Sequence, residues 1–66
     1  MDDMTRCRQR LIEVQIEHRD LDSVLVHLAA AQYPDELQVR RLKKRKLALK
    51  DEIERLQRIL TPDEPA

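Results

Sequence analysis

Two histidines, one cysteine and thirteen carboxylates are the side chains of this 66-residue sequence with types suited to chemistry. Such groups could build a metal centre, a thiol nucleophile or a general acid–base pair. Their spacing favours none of these. Cys7 and His18 share one helical stripe, but eleven residues of helix would part them by ~16 Å, too far for one metal ion. His27 falls on another face of the same helix. Symmetry-related copies of His18 remain one route to a metal; the simpler reading is a buried histidine bonded to an acidic neighbour such as Asp22. No Ser–His–Asp or Cys–His arrangement has workable geometry on two helices. The carboxylates lack a concave, water-excluding pocket in which their pKa values could shift. There is no glycine at all, hence no phosphate-cradling glycine loop. The expectation is a protein that is not an enzyme and holds no metal or cofactor.

Charge is the next candidate. From Arg40 to Lys50 the chain reads RRLKKRKLALK, seven cations without an acid. On a helix they do not share one face: Lys43, Lys46 and Lys50 step along one flank, Arg40, Arg41 and Lys44 point away, and Arg45 lies on the opposite flank. Two readings stay open. In one, the run is a solvated face that pairs with acids of its own chain: Glu17, Asp20 and Asp22 opposite it, near Lys46 and Lys50, and Asp51, Glu52 and Glu54 just beyond, within reach of Arg55, Lys50 and Arg58. In the other, Arg40, Arg41, Lys44 and Arg45 bind phosphates and the protein associates with nucleic acid. The second reading has no aromatic platform for bases behind it. Overall charge favours neither nucleic acid nor membrane, with 13 basic residues against 13 acidic.

The elements that must position these groups are helices. The composition is 39% charged and 41% apolar, without Gly, Phe or Trp, and it disfavours tight β-hairpins while suiting long helices. Met4, Cys7, Leu11, Val14, His18, Leu21, Leu25 and Leu28 follow alternating steps of three and four, as do Val39, Leu42, Lys46, Leu49, Ile53, Leu56 and Leu60. These are seams of coiled-coil type. Pro34 disfavours helix at Tyr33 and suits the first turn of a new one, while Pro62 closes the second. The expected fold is all-α: one domain over 1–66, a helix over about 3–32, a turn at 33–34, a helix over about 35–60 and a frayed tail at 61–66. A turn this short makes the helices antiparallel neighbours. Leu25 then lies near Leu42, Leu21 near Leu47 or Lys46, Val14 near Ile53, and Leu11 near Leu56.

Lys46 takes a seam position where an apolar residue is the norm. Its stem can cover apolar surface while the ammonium reaches Asp22 or Asp20, and one polar seam residue commonly fixes register or oligomer state. His18, Asp20, Asp22, Lys46 and Lys50 are therefore expected to form an interhelical polar cluster at mid-hairpin. Apolar residues also stand off the seam. Ile12 and Ile16 are i,i+4 neighbours that form a second stripe on the first helix, and Leu47 does so on the second. One hairpin buries little surface, so these three residues are the expected interface of a dimer of hairpins, a four-helix bundle.

The segments Glu17-His18-Arg19-Asp20-Leu21-Asp22 and Arg41-Leu42-Lys43-Lys44-Arg45-Lys46-Leu47-Ala48-Leu49-Lys50-Asp51-Glu52-Ile53 together resemble the YdcH-like family, small bacterial proteins containing a domain of unknown function. The His-x-x-Leu-Asp element at this spacing carries the specificity, and the likeness spans nearly the whole chain. It implies a bacterial cytoplasmic helical hairpin without assigned activity or site residues. The apolar content adds no span long enough for a membrane, and a single cysteine suits a reducing compartment. The functional expectation is a cytoplasmic structural or protein-interaction module that self-associates and offers a charged face to an unidentified protein partner, with nucleic-acid association as the alternative.

Overall fold

The computed structural model describes residues 2–61, which form two helices, α1 (Asp3–Ala29) and α2 (Glu36–Leu60). The helices pack against each other as an antiparallel hairpin one layer thick. Each begins at an aspartate with extended backbone. The Asp2 carboxylate accepts the Thr5 amide at 2.7 Å, and Asp35 accepts that of Gln38 at 3.1 Å. Both bonds satisfy an amide that the first helical turn leaves unpaired. The Thr5 amide holds the Asp2 carboxyl below its ordinary value, its hydroxyl and Arg8 adding to the effect.

The seam residues are the ones the fold buries. Val14 and Leu49 are fully buried, Leu25 is nearly so, and Leu11, Leu21, Leu28, Val39, Leu42, Ile53, Leu56 and Leu60 are half-buried. Val14 and Leu49 sit at the centre, where both flanking turns shield them. Met4, the first seam residue, is exposed.

Two boundaries differ from the sequence expectation. α1 ends at Ala29 rather than near Gln32, and the connection runs from 30 to 35 rather than over 33–34. The reason lies in the missing glycine. No described residue has a positive φ, so the left-handed cap and the tightest turns are closed to this chain. The helix instead tapers, with the Ala30 amide donating to Val26 and the Ala31 amide to Leu28. Reversal is then spread over more residues. Pro34 precedes the Asp35 cap instead of entering the first turn of α2. Of the tail expected over 61–66, all but Thr61 lies outside the described residues.

Candidate functional site

Three ion pairs join the helices, and they divide the hairpin into two unlike edges. On one edge Arg10 donates to Glu52 through Nε at 3.0 Å and Nη2 at 3.1 Å. Arg45 donates to Glu17 from Nε at 3.1 Å and Nη2 at 2.8 Å. Arg10 and Glu17 are seven residues apart on α1, as are Arg45 and Glu52 on α2, so both pairs fall on the same flank. Their signs alternate along each helix. A slip of one heptad would set Glu17 against Glu52, or Arg10 against Arg45, so this edge penalises the wrong register.

The hydrogen bonds and charge of Arg10 hold the Glu52 carboxyl below its ordinary value against partial burial, helped by the charges of Arg55 and Arg45. Arg10 also approaches Glu13 one turn on, at 3.8 Å. The intrahelical partners expected for Glu52 are replaced by this reach across to α1, because Glu52 flanks the seam and faces the other helix. Neither Asp51 nor Glu54 is in an ion pair among the described residues.

The other edge is built differently. Asp22 stands five residues beyond Glu17, a rotation of about 140° around the helix, and Lys50 stands five beyond Arg45. Here Lys46 keeps its stem in the seam, turns its ammonium outward and donates through Nζ to the Asp22 carboxylate. That hydrogen bond and the Lys46 charge pull the Asp22 pKa down, with a smaller contribution from the charge of His18. His18 is half-buried, close to this pair rather than bonded to it. Asp20 and Lys50 are exposed, and neither is in an ion pair among the described residues. His27 makes a separate local contact, its Nδ1 2.9 Å from the Ser23 carbonyl oxygen.

Beside Lys46 the surface opens into a groove along α2, lined by His18, Lys43, Lys46, Leu47, Lys50, Ile53, Glu54 and Gln57. Leu47 is 64% exposed here. Ile12 and Ile16, 57% and 56% exposed, are one turn apart on α1 and do not line this groove. Of the outward cations, Arg40, Arg41 and Lys44 are exposed, whereas Arg45 is engaged by Glu17. A phosphate-binding face that includes Arg45 would have to compete with that carboxylate.

Sequence reasoning placed Lys46 beside Asp22 but missed the Arg10–Glu52 and Arg45–Glu17 edge. The signal was available: flanking positions seven residues apart, with alternating charge on both helices. Among the described residues no three His, Cys, Asp or Glu side chains gather as metal ligands, and no helix is long and apolar enough to cross a membrane. The family described as "Protein of unknown function (DUF465)" matches residues 11–57. No curated protein and no solved structure matches the chain.

Proposed function

The chain belongs to the DUF465 family of proteins of unknown function, which includes YdcH-like proteins, and on that premise we propose that it is a non-enzymatic interaction module that pairs with a second copy. The observation behind this reading is the balance of buried and exposed apolar surface. Only Val14, Leu25 and Leu49 are buried among the described residues, while Ile12, Ile16, Val24, Val26, Leu37, Leu47 and Ile59 stay exposed. A small chain gains most by covering such residues on another molecule. Ile12 and Ile16 form the stripe that a second α1 would cover, as in a bundle of four helices. We place the protein in the cytoplasm on the strength of its single cysteine.

Light scattering on the purified chain tests the pairing. A particle of twice the 7.9 kDa chain mass is expected at micromolar concentration, falling to the chain mass in an Ile12→Asp/Ile16→Asp variant. A wild-type particle of the chain mass would end the pairing proposal.

A further inference from the structure

The groove on α2 has the form of a seat for a third helix. Its α2 positions advance by threes and ones from Lys43 to Gln57, tracking one side of α2 for about four turns, or ~21 Å. That length fits a helical segment of about fourteen residues and exceeds a small ligand. Lys43 and Lys50 run along its middle, with Leu47 on its outer side and Ile53 and Lys46 on the side toward α1. Lys46 is occupied by Asp22. Lys43 and Lys50, seven residues apart on the same flank, have no ion pair among the described residues.

We propose that this groove docks an acidic amphipathic helix of another protein. Carboxylates seven residues apart on that helix meet Lys43 and Lys50, and apolar residues flanking them cover Leu47 on one side and Ile53 on the other. The charge pattern separates this occupant from two others. A second copy docking groove to groove would use the same patch on both sides, bringing Lys50, at the midpoint of the groove, against its own counterpart and leaving Lys43 opposite the uncharged Gln57. Nucleic acid would satisfy the lysines but leave Leu47 and Ile53 without an apolar partner. Glu54, at the far end of the groove from Lys43, gives the seat a direction: the acidic part of the partner lies over Lys43–Lys50 and its other end is neutral or basic. The inference rests on reading the chain as an interaction module, but not on its pairing with itself.

The test uses the full chain and a fluorescent synthetic helix of about fourteen residues, with leucines flanking two glutamates seven apart, against a control with glutamine at those two sites. Anisotropy at low salt should show the acidic peptide binding about tenfold or more tighter than the control. Lys43→Glu/Lys50→Glu should abolish that binding and create binding to the matching lysine peptide. Leu47→Asp should weaken the acidic peptide by a similar factor. All three positions are exposed, and circular dichroism would verify that each variant remains helical. Retained peptide binding by the Ile12→Asp/Ile16→Asp variant would keep the groove proposal separate from the fate of self-pairing. Equal binding of acidic and control peptides, or no binding of either, overturns the proposal. So does binding of a DNA oligonucleotide or of anionic vesicles, lost in Lys43→Gln/Lys50→Gln, by a chain that ignores the peptide.

Discussion

Lys46 is the residue that departs furthest from its position's norm. Its stem lies in the seam between Leu42 and Leu49 in the heptad order, and its ammonium turns outward to an aspartate that is itself exposed. An exposed ion pair contributes little to stability because water and salt screen both charges, whereas an apolar side chain at a seam position gains from burial. Lys46→Leu should therefore raise the melting temperature by several degrees, since Asp22 stays solvated when its partner is removed. A fall in melting temperature, measured by circular dichroism, would show that the pair outweighs the packing. Acid should reveal the paired carboxylates. Asp22 and Glu52 are both held below their ordinary values by a cation on the other helix. Their contribution is complete above the unfolded-state pKa and disappears as pH falls through the lower folded value. Melting temperature should thus be flat above about pH 5 and drop below about pH 4. An Asp22→Asn/Glu52→Gln variant should lose less on acidification than the wild type; an identical acid profile would assign the drop to other groups.

At the scale of elements, the two edges of the hairpin have different work. The edge with Arg10–Glu52 and Glu17–Arg45 is closed by alternating charge and discriminates against register slips. The Asp22–Lys46 edge has one crossing pair and leaves lysines and apolar surface free beside it. Reversing one charge on the closed edge should show its role. Arg10→Glu places two carboxylates opposite each other and should lower the melting temperature by a few degrees, while Arg10→Glu/Glu52→Arg should recover most of the loss. Failure of the double variant to recover would mean that the crossing pair is not what the single change disrupts. The helix ends follow simpler rules: both starts use an aspartate cap, and the end of α1 tapers because no glycine is present to close it.

For the molecule as a whole, the decisive fact is how thin it is. Two helices in one layer bury a single seam and leave apolar side chains on outer faces. A chain that pairs through such faces should melt at a higher temperature as its concentration rises, since association stabilises the folded state by mass action. An increase of a few degrees over about a hundredfold in concentration is expected, and its absence in Ile12→Asp/Ile16→Asp would locate the contact. A wild-type melting temperature independent of concentration would instead make the hairpin a self-sufficient monomer.

The two helices and the buried seam were legible in the residues because each depends on local rules. Three- and four-residue spacing selects the inward face of a helix, and Pro34 disfavours helix at Tyr33. The place where α1 stops was not legible, since it depends on how many residues a glycine-free chain needs to reverse direction. Nor was the partner of each charge. Glu52 has cations within reach on its own helix, each alternative differing by a fraction of what one buried leucine contributes. Only the rotation of α1 against α2 chose Arg10 for Glu52 and Glu17 for Arg45, left Lys43 and Lys50 facing an open groove, and so made two edges of unlike chemistry from a sequence of zero net charge.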